Sequence, residues 1–157
     1  MQRVRLLSNS PEETFKIGQR LGKILREGDT VALFGELGSG KTVFAKGIAV
    51  AFSIPERDIT SASFTIISEH KGIIRDKNEP SGSSVPFYHI DLYRLEGMDL
   101  DALGLEEYIG RGISIIEWAE KLRDIPENLI KVRLNILNTE EREIIIEGIN
   151  EEDWNNR

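Results

Sequence analysis

Thr30-Val31-Ala32-Leu33-Phe34 runs directly into Gly35-Glu36-Leu37-Gly38-Ser39-Gly40-Lys41-Thr42, and this passage decides the fold. The first part is a short apolar run between glycines, as a strand buried on both faces should be. The second part fits the pattern G-x-x-x-x-G-K-[ST]. It lies between that strand and a helix read over Lys41–Phe52, the context in which the pattern is a P-loop. Glycines let the backbone wrap closely, so that successive N–H groups and the following helix N-terminus face an anion. Glu36, Leu37, Gly38, Ser39 and Gly40 would cradle the phosphates, Lys41 would reach the β and γ phosphates, and the Thr42 hydroxyl would ligate magnesium.

Upstream, Ser10-Pro11-Glu12-Glu13 has the form of a capping box with proline at the first helical position. Ile17, Leu21, Ile24 and Leu25 then recur at helical spacing, which predicts a helix over Pro11–Arg26. Downstream, β-branched and aromatic runs at Phe64–His70 and Val85–Asp91 predict a strand pair whose tip is the polar tract Asp76–Ser84. Asp99–Ile109 reads as a helix, Ile113–Glu117 as a strand and Trp118–Arg123 as a short helix. Ile130–Leu137 and Glu143–Glu147 alternate around Asn138-Thr139-Glu140-Glu141, which predicts an antiparallel hairpin. These elements predict one domain over residues 1–157. Its expected class is α/β, a P-loop NTPase-like three-layer sandwich with a mostly parallel central sheet and helices on both faces.

A P-loop works with a carboxylate near the metal, at the carboxyl end of a neighbouring strand. Asp91 ends Phe87-Tyr88-His89-Ile90-Asp91, and Glu117 ends Ile113-Ser114-Ile115-Ile116-Glu117. Both stand where a parallel sheet presents its ligand-binding edge. Lys41, Asp91 and Glu117 are therefore the expected catalytic set. Thr60–Thr65 lies where switch loops lie, so a hydroxyl there would follow the γ-phosphate. An Asn-Lys-x-Asp base-reading motif is lacking, which weighs against a GTPase. Trp118 and Tyr93 are candidates for contacting a partner or a base, against the plainer role of packing at element ends.

Composition narrows the class. Of 157 residues, 39% are hydrophobic and 30% charged, the balance of a soluble globular domain. No apolar run reaches the roughly 18 residues of a membrane span, and the N-terminus lacks the form of a signal peptide, so a cytoplasmic location is expected. Zero cysteines and two histidines leave little for a zinc site. A net charge of −7 argues against a surface that grips a nucleic-acid backbone. Any role in RNA chemistry should therefore run through a partner protein.

The P-loop, Ser61-Ala62-Ser63-Phe64, His89-Ile90-Asp91-Leu92-Tyr93-Arg94-Leu95, Leu103-Gly104-Leu105-Glu106-Glu107-Tyr108 and Ile116-Glu117-Trp118 together resemble the TsaE family, formerly YjeE. The resemblance implies a magnesium-dependent ATPase of tRNA threonylcarbamoyladenosine synthesis. It would act with the TsaB and TsaD proteins, which modify adenosine 37 of tRNAs decoding ANN codons, and would reach tRNA only through them. It further implies ATP as ligand, with Mg2+ held by Thr42 and Glu117, Asp91 important, and Ser63 at the nucleotide. The base would lie between the helix start near Pro11 and the hairpin near Glu141 and Arg142. Slow intrinsic turnover, raised by partners, is the expected behaviour. The chain departs from the family at Ser61-Ala62-Ser63-Phe64, where the usual proline is absent, in the longer tip Asp76–Ser84, and in the charged tail Glu151–Arg157. Two rival functions are a small-molecule kinase, for which no arginine-rich lid is visible, and a nucleotide-gated binding module.

Overall fold

A computed structural model describes residues 2–60, 66–76, 78–95 and 103–156. Strand β1 (Gln2–Ser8) leads into helix α1 (Pro11–Gly22), strand β2 (Thr30–Phe34) and helix α2 (Lys41–Ala51). Then follow β3 (Ile67–Ile74), β4 (Ser83–Asp91), β5 (Ile113–Glu117), β6 (Ile130–Ile136), β7 (Arg142–Ile149) and a short terminal helix α3 (Glu151–Asn155). All the strands join one seven-stranded sheet in the order β1-β7-β6-β2-β5-β4-β3. Its centre, β6-β2-β5-β4, is parallel, while β3 and the β7-β1 pair add antiparallel edges.

Strand periodicity sorts the core into two layers. Val31 and Leu33 join Ile113, Ile115, Val132 and Leu134 under α1 and α2, where Phe44, Ile48 and Leu21 complete the packing. Ala32 and Phe34 point the other way, with Ile90, Ile116, Leu105 and Leu122. Among the described residues, this second face is covered by 3-10 turns at Leu105–Glu107 and Ala119–Lys121 and by the helical residue Leu103, while α1, α2 and α3 pack on the first face. Of the predicted Asp99–Ile109 helix, residues 99–102 lie outside the described residues, Leu103 is helical, and a 3-10 turn over Leu105–Glu107 follows Gly104, which lies in the left-handed region (φ 71°).

Helix α1 begins as its sequence predicts. The Ser10 hydroxyl accepts from Glu13 N–H at 3.1 Å, while the Glu13 carboxylate reaches back to Asn9 N–H at 2.6 Å. It ends at Gly22, earlier than the predicted Arg26. Helices α1 and α2 touch backbone to backbone, for a Cβ placed on Gly47 would lie 2.1 Å from the Phe15 carbonyl oxygen. That closeness holds the start of α1 beside the start of α2.

Three further differences have local causes. Strand β1 was not expected, although Val4 and Leu6 alternate inward between Arg3 and Arg5, and its pairing with β7 supplies the context. Strand β3 runs on to Ile74, beyond the predicted His70, because β4 begins at Ser83 and offers it partners. The tip between them is correspondingly shorter, and the Asp76 carboxylate closes it by accepting from the Asn78 and Glu79 N–H groups. Helix α3 forms in the charged tail because Asn150 caps it and Trp154 is buried against the first layer.

Candidate functional site

The sheet brings the expected residues to one edge. Leu33 pairs with Glu117 and Glu117 with Asp91, so the loop leaving β2 and both acids share the carboxyl ends of three adjacent parallel strands. On β4 and β5 the residues facing α1 and α2 read Phe87, His89, Asp91 and Ile115, Glu117. Apolar columns thus turn polar as they reach the loop.

The loop itself bends where glycine is required. Gly40 caps α2 at φ 103°, and at Gly35 (φ 156°) a Cβ would lie 2.4 Å from Ser39 Oγ and 2.7 Å from the Leu134 carbonyl oxygen. Ser39 N–H donates to the Glu36 carbonyl at 3.0 Å, closing a turn inside the loop. Gly35 N–H, at the loop entrance, donates to the Glu120 carboxylate at 3.0 Å.

Lys41 is only 4% exposed. Its ammonium donates to the carbonyls of Gly35 (2.5 Å) and Glu36 (2.9 Å) and to Ser39 Oγ (3.4 Å), and it stands 3.7 Å from the centroid of the Trp118 ring. Burial pulls its pKa below the ordinary lysine value, against the opposing pull of Glu120, Glu117, Asp91 and Glu36. The next residue closes the other side. Thr42 Oγ1 donates to Glu117 Oε1 at 2.7 Å, and the second Glu117 oxygen meets His89 Nε2. Asp91 Oδ1 accepts from Tyr93 N–H at 3.0 Å.

A cleft of about 300 Å³ opens between Leu37–Val43 and the side chains of Asp91, Tyr93, Glu117 and Trp118. A larger cavity, about 630 Å³, lies elsewhere, between residues 22–27, 73–76 and Asp153, and contains no loop residue. Chemistry therefore locates the site better than size does.

The remaining expected residues fall as follows. Pro11 opens α1 one turn before Thr14, whose methyl faces Gly40. Arg142 donates to the Gly38 carbonyl at 3.0 Å and to the Ser39 carbonyl at 3.2 Å, tying the β6–β7 hairpin to the loop. Glu141 instead accepts from the Asn138 amide. Ser63 lies outside the described residues. Two contributors went unassigned in the sequence, His89 and Glu120. The signal for His89 was its place two residues before Asp91, on the same face of a buried strand. Trp118 turns out to cover Lys41 and to pack on Tyr93, ring centroids 5.1 Å apart.

A lysine buried among its own loop's carbonyls, beside glycines in the left-handed region and a hydroxyl–carboxylate pair, has the donor set for a polyphosphate with a hard divalent cation. Residues 8–144 match the sequence profile of the Threonylcarbamoyl adenosine biosynthesis protein TsaE. The tRNA threonylcarbamoyladenosine biosynthesis protein TsaE of Treponema pallidum is 34% identical over 146 residues, covering 91% of this chain and 99% of the relative. Its namesake in Bacillus subtilis is 33% identical over 151 residues, covering 95% and 88%. The crystal structure of Bacillus subtilis YdiB superimposes with a TM-score of 0.64 at 33% identity, over 92% of this chain and 84% of that one. This mixed α/β chain belongs to the TsaE family of threonylcarbamoyl adenosine biosynthesis proteins.

Proposed function

We propose that this chain is a P-loop ATPase that hydrolyses ATP with Mg2+ in tRNA threonylcarbamoyladenosine synthesis, acting on a TsaB–TsaD complex. The observation that carries the reading is the hydrogen bond from Thr42 Oγ1 to Glu117 Oε1 at 2.7 Å. It joins the start of α2 to the end of β5, putting two hard oxygen donors side by side beneath the loop.

The residues divide the work. Glu36 to Gly40 surround the phosphates with backbone N–H groups, and Lys41 exchanges its carbonyl partners for phosphate oxygens. Thr42 and Glu117 would hold the magnesium, which would supply positive charge against that of the phosphates. Asp91, beside Glu117 in the sheet, would orient an attacking water. Arg142 braces the loop through its hydrogen bonds to Gly38 and Ser39, and Pro11 and Glu141 would flank the base. Ser63 completes the set as the hydroxyl of the loop that follows the γ-phosphate. Catalysis on this plan is positioning and charge stabilisation, so slow turnover by the isolated chain is expected, with partners raising it. The charge of −7 favours contact with tRNA through protein partners.

The test combines phosphate release with capture. The purified chain should release phosphate slowly from ATP and Mg2+ and faster with TsaB–TsaD, and should bind that complex only with ATP present. Lys41→Ala should lower hydrolysis by orders of magnitude. A phosphorylated small-molecule acceptor would point to a kinase, and full function with a non-hydrolysable analogue to a gated binding module.

A further inference from the structure

Glu117 is held at once from helix α2 and from strand β4. The carboxylate is 1% exposed, with Oε1 accepting from the Thr42 hydroxyl and Oε2 against His89 Nε2. A carboxylate oxygen can only accept, so the ring nitrogen is the donor. His89 is itself 4% exposed and sits on β4, fixed in register opposite Ile115, one strand from Glu117.

The last bond of a glutamate side chain turns easily, so a lone carboxylate offers either oxygen to a ligand. Here the environment removes that freedom. With Oε2 engaged by a buried ring that cannot follow it, Oε1 is the oxygen turned to Thr42 and the cleft. Removing the ring would leave Oε2 without that donor in a buried position, where an unmet hydrogen bond is costly. The carboxylate would then rotate to share the Thr42 hydroxyl, the donor left to it among the described residues.

We propose that His89 is a positioning residue for Glu117: by occupying Oε2 from the neighbouring strand it aims Oε1 at the magnesium position beside Thr42. The inference rests on the reading of Glu117 as a magnesium ligand. Outer partners of this kind typically alter metal affinity by about 10–100-fold.

The experiment titrates Mg2+ into the full chain with ATP and follows ATP binding by calorimetry, with a parallel series in EDTA and a melting curve for each variant. His89→Leu should raise the Mg2+ midpoint by about tenfold or more, while ATP affinity in EDTA stays at the parental value. His89→Gln, whose side-chain N–H reaches the place of the ring Nε2, should restore the midpoint. His89→Asn, too short to reach Oε2, should not, and it serves if His89→Leu fails to fold. A parental midpoint in His89→Leu or His89→Asn overturns the inference, as does an equal loss of binding with and without Mg2+. Glu117→Gln separates the two ideas. If it shifts the midpoint and the His89 variants do not, the positioning role alone falls. If it shifts nothing, the metal reading falls and the positioning role with it.

Discussion

The Lys41 ammonium stands 3.7 Å above the centroid of the Trp118 ring while its N–H groups serve the carbonyls of Gly35 and Glu36. Trp118 holds this place from a left-handed backbone position, φ 60°, directly after Glu117. The cation and ring attract one another electrostatically, so on the proposed function the ring would report occupancy of the site. A phosphate that takes Lys41 draws it from these partners and changes the field on the indole.

Tryptophan emission should therefore change on adding ATP with Mg2+, and the change should vanish in Trp118→Phe and in Lys41→Met. The other tryptophan, Trp154, is 2% exposed on α3 with Arg20 stacked over it, and should contribute a constant background. A nucleotide response that survives Trp118→Phe would show that the ring does not sense the site.

The same burial predicts a pH dependence. Desolvation lowers the Lys41 pKa from 10.5 despite the nearby carboxylates, so the free protein loses this charge at lower pH than an exposed lysine does. Bound phosphates favour the charged form, so binding takes up a proton once the pH exceeds the lowered value. Affinity for ATP should then fall with rising pH, by up to about tenfold per unit, beginning below 10.5. The sign for stability is opposite. Between the lowered pKa and 10.5 the unfolded chain holds the proton more tightly, so this group makes the nucleotide-free protein more stable as pH rises. Lys41→Arg stays charged throughout, and its affinity should lack the alkaline fall. Equal pH profiles for parent and Lys41→Arg would remove Lys41 as the cause.

How much of this was legible beforehand follows from which signals are local. The loop, its flanking strand and helix, and the acids Asp91 and Glu117 are read from contiguous patterns, and the sheet places all of them on one edge. The hairpin of β6 and β7 was equally visible, since alternation and a turn tract adjoin. What sequence did not reveal depends on distant partners. Strand β1 exists because β7 returns to pair with it across nearly the whole chain. The role of His89 requires knowing that β4 and β5 are neighbours in parallel register, and the role of Glu120 that a 3-10 turn presents it to Gly35. The resemblance sets Arg142 near the base, and its hydrogen bonds to the loop backbone are seen only in the fold.

Packing between α1 and α2 gives a stability prediction. A Cβ on Gly47 would approach the Phe15 carbonyl oxygen to 2.1 Å and the Gln19 nitrogen to 2.9 Å, both backbone atoms that cannot turn aside. Gly47→Ala should cost about 3 kcal/mol, the upper end for overpacking, and lower Tm by about 6–12 °C. Helix propensity alone favours alanine over glycine by about 1 kcal/mol, so the two effects oppose and the close approach should win. A melting temperature at or above the parent's would mean that the helices separate at little cost.

Arg142 offers the final prediction. Its guanidinium donates to the carbonyls of Gly38 and Ser39 on the loop and to those of Asn138 (2.7 Å) and Glu141 (2.9 Å) on its own hairpin. In a trans peptide the C=O and N–H point in opposite directions, so holding the Ser39 carbonyl toward the hairpin turns the Gly40 N–H away from it. The arginine thus fixes the orientation of a loop amide, which on the proposed function would lower the ordering cost of binding a phosphate. Arg142→Ala should leave the fold intact and weaken ATP binding by about tenfold, or ~1.4 kcal/mol, equally with Mg2+ and in EDTA. That pattern differs from the one expected at His89, where only the magnesium dependence should move. Arg142→Lys should recover little, because a single ammonium cannot span the two loop carbonyls as the planar fork does. Parental affinity in Arg142→Ala would show that the loop keeps its shape unaided, and a selective loss of magnesium dependence would place Arg142 with the metal rather than behind the loop.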